Sequence, residues 1–504
     1  MEDHNEQKQI RQDKLAKIRA LGIDPYPYKF DFTHQASELL QAGDALVESG
    51  EEVALAGRLM AIRRQGKADF AHIQDNHTRM QVYIRLDEVG EKGFEVFSLC
   101  DLGDYVGIHG IMMRTQKGEL TLRAKRLTLL SKAIRPLPVP KIEEKDGERI
   151  VHDEVRDVEF RYRQRYADLA LNADVAKVFL QRTQIIQTLR KYLIDQGYLE
   201  VETPVLQTVY GGASATPFTT HHKALNIPLF MRIATELYLK RLVVGGFDRV
   251  FEIGKDFRNE GVDRSHNPEF TMVEFYEAYA DYNDMMEHFE AIYEACALAI
   301  HGTTQFPYQG EMIDVKRPWR RLTMYEAIKE YAGLDVESMD DAALEKLLAE
   351  HEWTMEGGYN RGLAIAVIFE EMCEDKLVQP VFITDLPKET TPLCKAHRDN
   401  PDLVERFEPY ICGFEVGNAY SELNDPQVQK ALFEEQVARR EGGDQEAHPF
   451  DSDFVRSMEY GMPPMGGVGI GIDRMVMLLT NQHSLRDVLF FPTMRPETDS
   501  GESH

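Results

Sequence analysis

The chain has 504 residues, too many for one typical core, so two or three domains are expected. Hydrophobic residues make up 43% and charged residues 28%, the balance of a soluble globular protein rather than a disordered or membrane one. The net charge of −27 excludes a globally basic, non-specific nucleic-acid binder, though it leaves room for local basic patches on an acidic body.

The opening MEDHNEQKQIRQDK is charged from its second residue and lacks the apolar core of a signal peptide. No run of about 18 apolar residues offers a membrane span. The five cysteines (Cys100, Cys296, Cys373, Cys394 and Cys412) are scattered and form no CxxC pair. They read as buried thiols in a reducing, cytoplasmic setting, not as disulfides or zinc ligands.

Residues 8–21 predict an amphipathic helix with Leu15, Ile18 and Leu21 on one face and Lys8, Arg11, Lys14, Lys17 and Arg19 around it. It reads equally as a solvated helix packed on a domain or as a nucleic-acid-contacting face. From Val53 the pattern shortens and alternates. VALAGRLM, DFAHIQD, RMQVYIRL, DYVGIHGIMM and ELTLRAKRLTLL each predict a strand, and five strands in so short a stretch suit an OB-fold barrel. Pro136, Pro138 and Pro140 mark a boundary, and the polar KIEEKDGERIVHDE after them predicts a surface loop. The expected domains are an N-terminal helical extension at 1–50, the barrel at 51–133, a linker at 134–173 and a second domain at 174–497.

In that second domain Val175, Val178, Ile185, Leu189 and Leu193 predict a long helix ended by Gly197. A strand follows at 198–204, then strands at 229–234, 250–258, 269–277, 381–385, 410–422 and 466–472. Helices are expected at 235–245, 282–300, 323–331, 341–350, 362–375, 427–440 and 473–480. This mixture predicts an α+β fold, an antiparallel sheet flanked by helices rather than a doubly wound one.

Three segments concentrate chemistry. VFEIGKDFRNEG places Arg258 and Glu260 two apart, on one face of a continued strand. HNPEFTMVEFYEAY adds Phe270, Met272, Glu274 and Tyr276 on one face. A core does not collect so many polar groups without a ligand to satisfy them. GGVGIGIDRMVMLLT carries Gly466, Gly467, Gly469 and Gly471 before Asp473 and Arg474. Glycines on a strand admit a flat group close to the backbone, although mere close packing uses them as often. ERFEPYICGFEVGNAYSELND holds Glu408, Glu415, Asn418, Tyr420 and Glu422. Paired carboxylates facing phosphates suit magnesium. Strict alternation turns Glu415 away from the other three, so a bulge near Gly417 is required if all are to share a pocket.

These segments resemble a known family. LIDQGYLEVETPVL resembles motif 1 of the class II aminoacyl-tRNA synthetases, FRNEG with HNPEF resembles motif 2, and GIGIDR resembles motif 3. With a barrel N-terminal to them, the match is to the subclass that charges lysine, aspartate or asparagine. GGASATPFTTHHKALN, RIATELYLKRLVVGGFDRVFEI and GNAYSELND resemble its bacterial lysyl members. The resemblance runs from about residue 8 to Arg495. Thr235, where many relatives have proline, and a longer segment near 140–155 are its departures.

The resemblance implies that lysine and ATP give lysyl-adenylate, and that the lysyl group passes to the 3′ end of tRNA(Lys), with Mg2+ as cofactor. Arg258 would bridge the lysine carboxylate and the α-phosphate, and Glu260 would accept from the adenine amino group. His266 and Asn267 would lie beside the nucleotide, Phe270 would stack on adenine and Arg474 would hold the far phosphate. Arg258, Glu260 and Arg474 make the catalytic set. Glu408 and Glu415 would coordinate magnesium, with Glu408 also near ATP. For the amino acid, Glu236 and Gly212 would meet the α-ammonium, Tyr276 and Glu422 the ε-ammonium, and Asn418 and Tyr420 the rest. In the barrel Phe70, Gln81 and Glu119 match anticodon-reading positions, although Phe70 would serve a barrel core as well. Arg58, Arg63, Arg64 and Lys67 could grip the RNA backbone. The helix and strand at 178–204 would form a homodimer interface or serve core packing.

Three other readings stay open: charging with aspartate or asparagine, a lysyltransferase acting on protein, and a non-catalytic tRNA-binding regulator. Glu422 argues against the first, the barrel against the second and the intact charged set against the third.

Overall fold

A computed structural model describes residues 2–138, 141–145, 148–152, 157–355, 358–441 and 448–497. The chain divides into two compact units, Met1–Ala176 and Lys177–His504.

In the first unit, strands Glu52–Arg64, Ala68–Asp75, Thr78–Arg85, Tyr105–Arg114 and Leu120–Ser131 close a barrel in which the third strand pairs the fifth in parallel. Alternation puts Val53, Leu55, Leu59, Ile73, Val82, Ile108 and Leu122 inside. Helix Leu86–Ser98 follows the third strand and adds Val96 and Phe97 to that core. The N-terminal helix runs from Glu2 to Ala20 and buries Ile18. Two of its basic residues turn inward, contrary to a face free for tRNA. Arg11 donates to the carbonyls of Leu102 and Ala133 at 3.0 and 3.1 Å, and Lys14 pairs with Asp101 at 2.5 Å.

The segment expected as a surface loop is instead a two-stranded hairpin, Lys141–Lys145 against Glu148–His152. Residues 146–147 and 153–156 lie outside the described residues. The β-branched Ile142, Ile150 and Val151 suit paired strands better than the charge count suggested.

The second unit is built on a sheet of nine described strands. In order across the sheet they are Arg320–Thr323, Val381–Pro387, Leu403–Ile411, Gly417–Ser421, Met465–Gly471, Glu269–Ala278, Arg249–Phe257 and Leu199–Glu200, with Phe414–Glu415 beside Leu403–Ile411. The interior pairs are antiparallel, and the outermost pair at each edge is parallel. Helices Ala173–Asp195 and Tyr282–His301 supply one hydrophobic layer, where Ile185, Leu189, Leu193, Phe289 and Ile292 pack on Phe251, Phe275 and Phe407. Asp281 caps the second helix by accepting from Asn283 N.

Two strand expectations need correction. Only Leu199–Glu200 of 198–204 pairs as a strand. The expected strand at 410–422 is a hairpin that turns at Cys412 and Gly413, both at positive φ.

Candidate active site

Three strands make the floor of a cavity of about 760 Å³. Met465–Gly471 lies between Glu269–Ala278 and Gly417–Ser421. Its register sets Tyr276 and Tyr420 opposite Gly467, Glu274 and Asn418 opposite Gly469, and Met272 opposite Gly471. Side chains of one parity share a face, so the two outer strands raise walls and the glycine strand leaves a trough. A Cβ on Gly467 would strike the Glu422 carboxylate and the Tyr276 ring. Gly467 therefore makes room for the Glu422 and Tyr276 side chains that border the cavity.

At one end the cavity is strongly acidic. Glu236 begins helix Glu236–Val244, Glu274 projects from the floor, and Glu422 follows strand Gly417–Ser421. All three are buried. Burial raises the Glu274 carboxyl to about 8, aided by the nearby Asp256 and Glu236. Burial likewise raises Glu422 to about 8, partly offset by Lys240. Tyr276 donates to Glu274 at 3.2 Å. Gly212, at φ +92°, Asn418 and Tyr420 complete the border. Sequence reasoning assigned no role to Glu274, although its place between Met272 and Tyr276 already put it on this face.

Glu236 and Glu422 are not free, as the sequence reading supposed. Both ion-pair with Lys240, Glu236 at 2.5 Å. Even so, neither Glu422 oxygen has an aligned hydrogen bond among the described residues. Arg406, also unforeseen, donates to the Asn418 side-chain oxygen at 3.1 Å and sits over the Tyr420 ring.

The other end is basic and aromatic. Strand Arg249–Phe257 stops one residue before Arg258, so Arg258 and the exposed Glu260 lie on the connecting loop and not on a shared strand face. Both still border the cavity, because Arg258 N donates to Pro268 O at 2.9 Å and holds the loop to the sheet. The Arg258 guanidinium lies 5.0 Å from the Phe270 ring centre, and its buried Nε has no hydrogen-bond partner among the described residues. A buried, unbonded guanidinium nitrogen is costly unless an anion meets it. His266 is tied to Asp263 at 2.8 Å, and Asn267 donates to Glu269 O at 2.5 Å. Arg474, on helix Ile472–Leu479, donates to Glu415 O at 2.5 Å. Asp473 beside it accepts from Thr271 N and pairs with Arg182, fixing that helix to the sheet.

Glu408 departs from expectation. It is not among the residues bordering the cavity. It accepts from Arg406 at 2.5 Å and from the Tyr410 hydroxyl at 2.9 Å. Glu415 does border the cavity. The register slips by one residue between the Tyr410–Glu415 and Phe407–Ala419 pairs, which lets Glu415 join Asn418 and Tyr420 there. Gly417 is not at positive φ; a Cβ there would strike Phe289 and Gly469 O. The carboxyls around Glu408 repel one another. Glu374 is raised to about 7 by burial and then by Glu370, Glu408 and Glu415, and Glu415 is raised by burial and by Glu408. A divalent cation would relieve that repulsion, although among the described residues no three carboxylate, histidine or cysteine ligands gather at metal-binding spacing.

On the barrel, Phe70 lies outside the core and against Tyr83, with ring centres 4.6 Å apart. His72 sits opposite Gln81 and 3.6 Å from Glu119. Gln81 accepts from the Thr121 hydroxyl at 2.7 Å. Phe70, Gln81 and Glu119 therefore share one outer face, with His72 and Tyr83 added to it. Strand alternation carried that signal, since residues 70 and 72 have equal parity. Arg64 and Arg58 are committed elsewhere. Arg64 pairs with Asp69 and donates to the carbonyls of Phe97, Ser98 and Cys100, while Arg58 bonds the Tyr105 hydroxyl. Arg63 and Lys67 are exposed.

A family model described as class II tRNA synthetases (D, K and N) matches residues 157–495, and one for an OB-fold nucleic acid binding domain matches residues 53–130. The chain is 51% identical over 509 residues to a lysine–tRNA ligase of Christiangramia forsetii, covering 100% of this chain and 88% of the relative. It is 50% identical over 506 residues to one of Porphyromonas gingivalis, covering 98% and 86%. A third, of Thermoanaerobacter sp., is 47% identical over 500 residues, covering 99% and 98%. The chain belongs to the class II tRNA synthetases of the D, K and N group.

Proposed function

We infer that the chain is a lysine–tRNA ligase, which activates lysine with ATP to lysyl-adenylate and passes the lysyl group to the 3′ end of tRNA(Lys). The observation that carries this is the opposed ends of the cavity. Buried Glu236, Glu274 and Glu422 stand at one, and Arg258 with an unbonded Nε stands at the other. A ligand with two ammonium groups and one carboxylate answers that pattern. Aspartate would bring a second carboxylate to the acidic end, and asparagine would bring no second ammonium to offset the carboxyls that Lys240 alone does not balance. Full-length likeness to relatives named lysine–tRNA ligase supports the same substrate.

In this reading Glu236, with Gly212, takes the α-ammonium, while Glu422, with Tyr276 and Glu274, takes the ε-ammonium. Asn418 and Tyr420 border the side chain. Arg258 draws the lysine carboxylate onto the α-phosphorus of ATP, and its planar fork neutralises both anions. Pyrophosphate leaves, and Arg474 faces its charge. Adenine lies on Phe270 near Glu260, with His266 and Asn267 beside the nucleotide. Glu415, with Glu408, would hold magnesium, which when bound neutralises phosphate charge. The terminal ribose hydroxyl of tRNA then takes the lysyl group. No side-chain nucleophile is required.

On the barrel, Phe70 stacks an anticodon base, and Gln81, Glu119 and His72 select among bases by hydrogen bonding. The exposed Leu180, Ile194, Leu199, Val205 and Leu206 on and after helix Ala173–Asp195 support a homodimer through the motif 1 surface. A cytoplasmic location follows from the need for ATP and tRNA. Among the described residues no helix is long and apolar enough to cross a membrane.

ATP–pyrophosphate exchange with each amino acid in turn tests the assignment. Exchange with lysine alone is expected. Exchange with aspartate or asparagine but not lysine would overturn it, and exchange with none would favour a regulatory tRNA-binding protein.

A further inference from the structure

Glu236 and Lys240 are four apart on one helix, a spacing that usually marks a solvated surface pair. Here both are buried, with the Lys240 side chain 1% exposed. Its ammonium also pairs with Glu422, which is equally buried, and lies 5.9 Å from the Tyr276 ring centre. Lys240 is not among the residues that border the cavity, whereas Glu236, Glu274, Tyr276 and Glu422 are. The lysine thus stands behind the acidic wall. Such an ion pair gains little net stability over an apolar replacement of equal volume, so packing alone does not account for it.

We propose that Lys240 is a positioning and specificity-determining residue for the amino acid. From behind the wall it holds Glu236 and Glu422 in place and favours their ionised forms against burial, so it sets the net charge that the pocket offers an incoming ammonium. Once a ligand's ammonium groups draw all three carboxyls into their ionised form, Lys240 leaves two negative charges unmatched, the complement of a diamine's two ammonium groups. Without Lys240 the pocket would carry one negative charge too many and would take up a proton in place of lysine. Burial pulls the Lys240 pKa down, but Glu236 and Glu422 raise it above the usual lysine value, so it stays charged. The other groups facing this cluster are Glu274 and Tyr276 on the floor strand, Cys394 paired across from Glu422, and Tyr420 with Arg406 alongside.

The proposal rests on the reading of the pocket as a lysine site. Exchange by the unaltered chain therefore comes first, because failure there removes that reading and not this one alone. Given exchange with lysine, Lys240→Met is expected to raise KM for lysine at least roughly 30-fold at pH 7 while KM for ATP stays within about twofold. The deficit should shrink toward pH 8.5, as higher pH ionises carboxyls that burial keeps protonated more strongly once Lys240 is gone. Lys240→Arg, which keeps the charge, should restore most of the lysine affinity. Where the methionine variant does not fold, Lys240→Gln carries the same comparison and still offers Glu236 a donor. Equal losses for lysine and ATP, a deficit that does not change with pH, or an arginine variant as impaired as the neutral one would each overturn the proposal.

Discussion

At the acidic end of the cavity, Glu422 is buried with no aligned hydrogen bond, whereas on the barrel's outer face Glu119 is 52% exposed and Gln81 already accepts from Thr121. The two regions are poised differently. The pocket holds charge that burial makes expensive, so a ligand that answers it is favoured and one that does not is penalised. The barrel face is already satisfied by its neighbours and by water. It can offer stacking area and an exchange of hydrogen bonds, with a modest effect from each group. Discrimination by unmet charge should therefore be steep and local. Discrimination on the barrel should be shallow and spread over several residues.

That contrast can be broken in order of expected effect. Arg258→Ala should lower kcat for lysine-dependent exchange by about 10³-fold, because the guanidinium meets charge that develops in the transition state. A loss confined to KM would make Arg258 a ground-state binder only. Glu422→Gln should raise KM for lysine by about 10²-fold and leave KM for ATP within about twofold. Equal weakening of both would remove Glu422 from the amino-acid end. Phe70→Ala should raise KM for tRNA by roughly tenfold in the charging assay and leave exchange unchanged. A hundredfold loss would mean that the barrel face is as demanding as the pocket.

The smallest effect concerns stability. Glu274 and Glu422 titrate near 8 in the folded chain against an ordinary 4.5. The folded state therefore binds more protons than the unfolded one across that window. This contribution is fully present below the ordinary value and is lost as pH rises through 8. Melting of the ligand-free chain followed from pH 5 to 9 should show it, with lysine raising Tm by about 2–4 °C more at pH 8 than at pH 6. A lysine effect independent of pH would contradict the charge imbalance.

Much of this was legible in the residues. The five barrel strands alternate cleanly, and the helices of the second unit carry a 3.6-residue period, so both appeared where expected. Helix Leu86–Ser98 did not, because Gly90 and Gly93 interrupt its pattern, and the chain does leave helical geometry at Gly90 (φ 77°). Short helix Ser452–Glu459 was also missed, although Asp451 ahead of it is a cap signal. Within the site, motif spacing located Arg258, Phe270, Glu422 and Arg474. It could not reveal Lys240, because a glutamate and a lysine four apart look the same on a wet helix and in a buried one. Nor could it show that Arg406 occupies Glu408, since two residues apart on a strand says nothing of which group wins a partner.

The glycine at 467 has a consequence for anyone who wishes to retune this enzyme. At its glycines, strand Met465–Gly471 paves the cavity floor with backbone, so those positions have no side chain to trim. Substrates longer or shorter than lysine would have to be admitted from the walls, through Tyr276, Tyr420 or Glu422, or through Gly212 at the rim. Enlarging residue 467 would press on the Glu422 carboxylate and the Tyr276 ring at once, disturbing both walls together. Libraries for altered amino-acid scope should leave position 467 untouched and spend their diversity on those four.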